Sequence, residues 1–305
     1  MLNPDGHEIS DLIVDYDPVS LERRRVRRDE VVATLQAQGM RWGAWVAAGL
    51  PERDGWLDEV EVDALLVRVH AEMQRLWEEF LQGERVRALL VPLLAALREH
   101  GHQGPVRVVD VGCGLGYLVR WLAARGRLGD DVELIGCDYN RALIDAARHH
   151  AAAEGLQCAF HVANAFTLEE PATVFLSTGV LHHFRGPGLE RFFAEQRRAA
   201  AFIHIDIKPS YLAPVGSLVF HLARMREPVA RHDGTQSAVR AHAGASLLAA
   251  ARAGAPELRV ALFDGAVSAV PLTRTLHAVV GMTPSLEAAF RRGLGPLAAR
   301  LGGTS

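Results

Sequence analysis

The sequence predicts an α/β protein. The expected fold is a doubly wound seven-stranded sheet, five parallel strands closed by an antiparallel hairpin, with an N-terminal helical cap. Three observations carry this. From residue 105 onward, short β-branched runs alternate with helix-forming stretches. The last two runs, LRVALFD (258–264) and RTLHAVVG (274–281), are separated by GAVSAVP and a few residues more, too little for a helical crossover. Residues 1–104 contain no convincing strand. The expected division is a cap over 1–104 and a sheet domain over 105–305, with an insertion at 209–256 covering a substrate pocket.

In the cap, DPVSLERRRVRRDEVVATLQAQG reads as a helix capped by Ser20 and stopped by Gly39. Its five arginines between Arg23 and Arg28 are offset by Glu22, Asp29 and Glu30, so a solvated helix face is preferred to an RNA patch. Trp42, Trp45 and Trp56 read as core. Leu65, Val69, Met73, Leu76 and Phe80 recur every three or four residues, the mark of an amphipathic helix, and residues 84–98 form another. The strands follow as VRVVDV (106–111), VELIGCD (132–138), CAFHVA (158–163), TVFLSTG (173–179) and AFIHIDI (201–207). Helices are expected after the second and fourth. The stretch 226–244, REPVARHDGTQSAVRAHAG, is polar and reads as a long loop, with His232 and Asp233 as secondary candidates for binding an acceptor.

The chemistry centres on VVDVGCGLG (108–116), a buried strand running into glycines at every second position. Such a turn lets backbone amides approach a ligand that a Cβ would block. The helix YLVRWLAAR opens directly behind it, with its N-terminal amides facing the same ligand. A nicotinamide fingerprint would place a third glycine three residues after the second. Tyr117 stands there, and the extra glycine is Gly116. Asp138 ends the second strand, where a carboxylate accepts both hydroxyls of a ribose. Asn164 ends the third, within reach of an adenine edge. Ser177, Thr178 and Gly179 end the fourth with small residues. All fall at carboxyl ends of strands, where open α/β sheets bind ligands.

On Asp110-x-Gly112-x-Gly114-x-Gly116, Asp138, Asn164-Ala165, the exit STGVLHHF (177–184) and the closing hairpin, the chain resembles the class I S-adenosylmethionine-dependent methyltransferases over residues 105–282. The resemblance implies a Rossmann-like domain and S-adenosyl-L-methionine as cofactor. It places the methionine portion at the glycine turn, the ribose at Asp138 and the adenine amine at Asn164, a position where the family often has aspartate. The implied cofactor set is Asp110, Gly112, Gly114, Gly116, Tyr117, Asp138, Tyr139, Asn164, Ala165 and Ser177. Imidazole is the natural base near neutral pH, so His182 and His183, just past the fourth strand, are candidate catalytic residues. Asp206 joins them, because an acid on a central strand is costly unless paired or used. His183, His204 and Asp206 form a conceivable metal set, but no spacing signature supports a metal.

Net charge is −3 and the pI about 6.5, so the overall charge favours neither nucleic acid nor membrane. No run of 18 apolar residues occurs, and MLNPDGHEISD lacks a basic-then-apolar leader. Cys113, Cys137 and Cys158 have no metal-ligand spacing and read as reduced thiols of a cytoplasmic protein. The expected function is methyl transfer to a small-molecule acceptor. RNA methylation and non-catalytic cofactor binding are the alternatives, and the oligomeric state is open.

Overall fold

The computed structural model describes residues 3–210, 213–265 and 275–302. The chain divides into two units: Met1–Leu76 with Pro209–Ala241, and Trp77–Lys208 with His242–Ser305. Tyr211, Leu212, most of the GAVSAVP connection and Arg274 of the last expected strand lie outside the described residues.

The second unit holds the sheet. Its strands are β1 (Val106–Val111), β2 (Val132–Asp138), β3 (Ala159–Val162), β4 (Val174–Thr178), β5 (Ala201–Ile207), β6 (Arg259–Phe263), β7 (Leu276–Met282) and β8 (Leu301–Gly302). They lie in the order β8-β6-β7-β5-β4-β1-β2-β3. β1 to β5 run parallel to their neighbours among themselves. β7 returns antiparallel along β5, from Leu276 opposite Ile207 to Met282 opposite Ala201, and β6 pairs antiparallel with β7. The sheet therefore has eight strands, one more than expected. β8 pairs only Leu301 and Gly302 with Phe263 and Leu262, and two residues carry no alternation for a sequence reading to find.

Strand order reverses at β1, which pairs with β2 on one side and β4 on the other. The crevice above that reversal is where such sheets bind ligands. β1 is apolar on both faces because both are covered. Val106 and Val108 pack with α1 (Gln82–Glu99), α2 (Tyr117–Arg125), α3 (Arg141–Ala153) and α6 (Glu287–Leu294). Val109 and Val111 pack with α4 (Pro187–Gln196) and α5 (Gly244–Gly254). α1 presents Val86, Leu89, Leu90, Leu93, Leu94 and Leu97 as one buried stripe, so it belongs to this core. The boundary between units accordingly falls at Leu76, inside the helix Glu59–Glu79, and not at 104. Likewise only 209–241 of the expected insertion joins the N-terminal unit, since α5 buries Leu247, Ala250 and Ala251 against the sheet.

The first unit departs from the expected all-helical cap. Asp15–Tyr16 pairs with Arg23–Arg24, and Glu52–Arg53 with Trp56–Leu57. Asp17 makes the first turn: its Oδ1 accepts the amides of Val19 and Ser20 at 3.0 and 2.9 Å. That holds Ser20 outside any helix, and the helix starts at Arg28 and runs to Ala37. The arginine run is neutralised locally. Arg24 pairs with Asp17 (2.6 Å), Arg27 with Asp29 (2.8 Å) and Arg23 with Asp63, while Arg25 and Arg27 lie over Trp56.

The polar stretch expected as a loop is the helix Pro228–Arg240, with Pro228 at its first position. Most of it is buried, because its polar side chains bind residues 3–11. Asp233 accepts the amides of Ile9 (2.7 Å) and Ser10 (2.9 Å). Gln236 donates to the carbonyls of Asn3 (2.6 Å) and Gly6 (2.9 Å), Ser237 donates to Glu8 (2.9 Å), and Arg240 pairs with Asp11 (2.5 Å). Buried polar groups persist when paired in this way. Among the described residues, no helix is long and apolar enough to cross a membrane.

Candidate active site

The site begins where β1 ends. Gly112 and Cys113 donate their amides to Cys137 O at 2.7 and 3.0 Å, and Gly116 donates to Cys113 O at 2.8 Å. Gly112, Gly114 and Gly116 have φ of +72°, +53° and +68°, a left-handed path that disfavours any side chain. Two of them also meet protein. A Cβ at Gly112 would stand 2.7 Å from Val180 Cγ2, and one at Gly116 would stand 2.5 Å from Phe160 Cζ. Gly112 lets the end of β1 close on Val180 beyond β4, and Gly116 lets α2 close on β3, a need that the spacing alone does not distinguish from ligand approach.

The two acids at the turn have unlike surroundings. Asp138 accepts the Gly114 amide (Oδ2, 3.0 Å) and the Asn140 amide (Oδ1, 2.9 Å). Asn140 in turn caps α3 by accepting from Ala142 and Leu143. Asp110 is buried at 2% exposure, and its Oδ1 has no hydrogen-bond partner. Burial first, and then the charge of Asp138, raise the Asp110 carboxyl to about 7. Cys113, inside the turn, is a thiol pushed far up by burial and by the two neighbouring acids. Tyr117 opens α2 half-buried, its phenol pushed up by burial and by Glu78 and Glu84, whereas Tyr139 is exposed.

Beyond β3, Asn164 Oδ1 accepts the Phe166 amide at 2.9 Å and shapes the turn that carries Ala165. Ser177 does not face the crevice. It is fully buried, and its hydroxyl meets His204 Nδ1 at 2.8 Å, so its side chain is turned away from the expected cofactor position. Position 177 is in phase with Phe175 along β4, and that parity points it into the core. His204 sits among Phe192, Phe193 and Phe202, with ring centroids 5.0 to 5.7 Å away. Burial drives its imidazole down to about 3, against the pull of Asp206. His204 is thus a neutral core residue, and the set His183, His204 and Asp206 is not brought within metal-binding distance. Gly179 (φ +66°) ends the strand beneath Trp77, whose Cζ2 would lie 2.8 Å from a Cβ there.

After β4, the turn Leu181–His183 brings His182 onto Asp206. The His182 amide donates to Oδ2 at 2.9 Å, and its Nδ1 meets Oδ1 at 2.8 Å. Burial would raise the Asp206 carboxyl, but the charge and hydrogen bond of His182, with the amides of Ile207 and His182, hold it at about 2. Asp206 therefore fixes the orientation of the His182 ring through its Nδ1 and its backbone amide. The His183 ring lies 4.4 Å from that of His182, tilted against it by 34°. His242 braces the turn from below: its Nε2–H donates to the carbonyls of Phe184 (2.9 Å) and Leu181 (3.1 Å). Neither the Trp77 contact nor the His242 brace was visible in the sequence, because both join segments far apart in the chain. His232 and Asp233 pair with each other in the first unit at 2.8 Å, and Asp233 also serves the backbone amides of Ile9 and Ser10. Both are parts of that unit's interior.

The family model described as a methyltransferase domain matches residues 108–201, from β1 to the start of β5. No curated protein matches the chain. Many solved structures are loosely similar, and three of them follow. The plantazolicin methyltransferase BpumL, in complex with SAH, is 14% identical, with 74% of this chain and 96% of that one covered and a TM-score of 0.47. A magnesium protoporphyrin IX methyltransferase from Synechocystis with bound SAH is 17% identical, with coverage of 84% and 99% and a TM-score of 0.44. A SAM-dependent methyltransferase from Aquifex aeolicus is 18% identical, with coverage of 61% and 86% and a TM-score of 0.41.

Proposed function

We propose that the protein is an S-adenosylmethionine-dependent methyltransferase acting on a small molecule, a reading supported by the match of residues 108–201 to a methyltransferase-domain family model. The observation that carries this is the left-handed turn Gly112–Gly116, flanked by Asp138 at the end of β2 and Asn164 at the end of β3. The residues suit the cofactor. The Asp110 carboxyl, buried with an unpartnered oxygen, matches a cationic ligand. Asp138 holds its carboxylate at the strand end by two amides, ready for vicinal hydroxyls.

The bound cofactor supplies the electrophilic methyl group, and the chain supplies position and proton handling. Asp206 orients His182, which takes a proton from an acceptor that is protonated at neutral pH. His183 packs against the His182 ring and helps fix its tilt. The net charge of −3 and the locally neutralised arginine run favour a small acceptor over RNA.

Titration calorimetry with S-adenosylhomocysteine tests the cofactor half. Binding is expected, weakened at least a hundredfold by Asp138→Ala, which removes the partner of two backbone amides; unchanged affinity in the variant rejects the assignment. A metabolite extract treated with methyl-labelled cofactor tests the acceptor half, because label appearing in total RNA and not in the small-molecule fraction would overturn it.

A further inference from the structure

Asp110 and Asp138 end neighbouring strands on the same face of the sheet, but the protein stabilises their charges unequally. Asp138 accepts two backbone amides. Asp110 has an oxygen without any donor and almost no exposure. The titratable groups that act on Asp110 or feel it are Asp138, Cys113 and Cys137: a second acid and two thiols, none of them able to bring positive charge. With two carboxyls on one face of neighbouring strands, the one with donors keeps the charge and the other keeps the proton. Burial and the charge of Asp138 accordingly set Asp110 to titrate at about 7.

We propose that Asp110 reads the charge of the ligand: in the empty site it stores a proton, and a ligand bringing an ammonium or sulfonium group to the glycine turn expels that proton and gains the carboxylate as counter-ion. This rests on reading the turn as an S-adenosylmethionine site. The exchange balances. The O–H bond of the Asp110 carboxyl breaks, its proton leaves to solvent, and the ligand's fixed positive charge takes its place. A neutral nucleoside leaves the proton where it is and gains nothing from Asp110. The residue thereby separates the cofactor and its demethylated product from neutral adenosine derivatives, and it makes their binding depend on pH.

The test uses the full chain and two ligands, S-adenosylhomocysteine, which carries an ammonium, and 5′-methylthioadenosine, which carries no charge. Calorimetry between pH 5.5 and 8.5, in buffers of different ionisation enthalpy, reads affinity and protons together. S-adenosylhomocysteine should bind about tenfold more tightly for each pH unit gained below 7 and then level off. It should release about nine-tenths of a proton at pH 6 and little at pH 8. Methylthioadenosine binding should stay flat. Asp110→Asn should still bind S-adenosylhomocysteine, more weakly, with no slope and no proton released. If that variant does not fold, infrared difference spectra of the wild type should lose a protonated-carboxyl band on adding S-adenosylhomocysteine at pH 6. A flat wild-type affinity, a slope that survives in Asp110→Asn, or an unchanged carboxyl band overturns the proposal. Absence of S-adenosylhomocysteine binding at every pH would instead overturn the cofactor reading beneath it.

Discussion

Replacing Gly116 by alanine separates two reasons for the glycine. The residue has φ +68°, and an L-residue in that left-handed region costs about 1–2 kcal/mol. The new Cβ would also stand 2.5 Å from Phe160 Cζ and 3.2 Å from Ala147 Cβ, in a core where Phe160 is 3% exposed and Ala147 fully buried. Overpacking of that kind costs a further ~1–3 kcal/mol, so Gly116→Ala should lose about 2–5 kcal/mol in urea unfolding followed by far-ultraviolet circular dichroism. Phe160→Leu shortens the ring that the Cβ meets but leaves the backbone strain. The double variant should therefore be more stable than the two single losses predict, by roughly 1–2 kcal/mol of coupling. A Gly116→Ala protein within ~0.5 kcal/mol of wild type, or two losses that simply add, would refute the claim that this glycine exists for the contact of α2 with β3.

Other substitutions follow from the opposite face of the sheet. His204 is depressed to about 3 in the folded protein, against an ordinary value of 6.5. The unfolded chain therefore takes up a proton from pH 6.5 downward while the folded one does not, and wild type loses stability across that window. His204→Gln keeps a partner for Ser177 and cannot titrate, so its stability relative to wild type should improve by about 3 kcal/mol between pH 7 and pH 4; a constant difference would show that His204 already titrates normally. Asp206→Asn removes the acid that orients His182, and turnover should fall about 10²–10⁴-fold while S-adenosylhomocysteine affinity stays within about threefold. Full turnover, once an acceptor is in hand, would reduce His182 to a packing residue.

Much of the sheet was legible because its strands obey local rules. VRVVDV and AFIHIDI coincide with their strands because each is covered on both faces, and VELIGCD does so with only its first two residues uncovered. The strand ends were legible as well: Asp138 closes β2, where its carboxylate accepts the amides of Gly114 and Asn140. Legibility failed where a partner far along the chain decides the outcome. Composition marks 226–244 as solvent-loving, yet the helix Pro228–Arg240 is buried because the backbone of residues 3–10 consumes its side chains. The arginine run reads as helix by propensity, but the Asp17 turn folds it back on Asp15 and Tyr16. Ser177 shows the cheapest lesson: its alternation with Phe175 was available in the sequence and outweighs its place at a strand end.

The grip of Gln236 on Asn3 spans 233 positions of chain, which bears on how the protein is born. At roughly 5–20 residues per second, a ribosome needs on the order of ten to fifty seconds to supply that partner. Through that interval residues 3–11 have no Asp233, Gln236 or Arg240 to hold them, while most of the parallel strands emerge behind them. Residues 3–11 thus settle late although they are translated ahead of the sheet, and while they wait they are open to nascent-chain proteases and holdases.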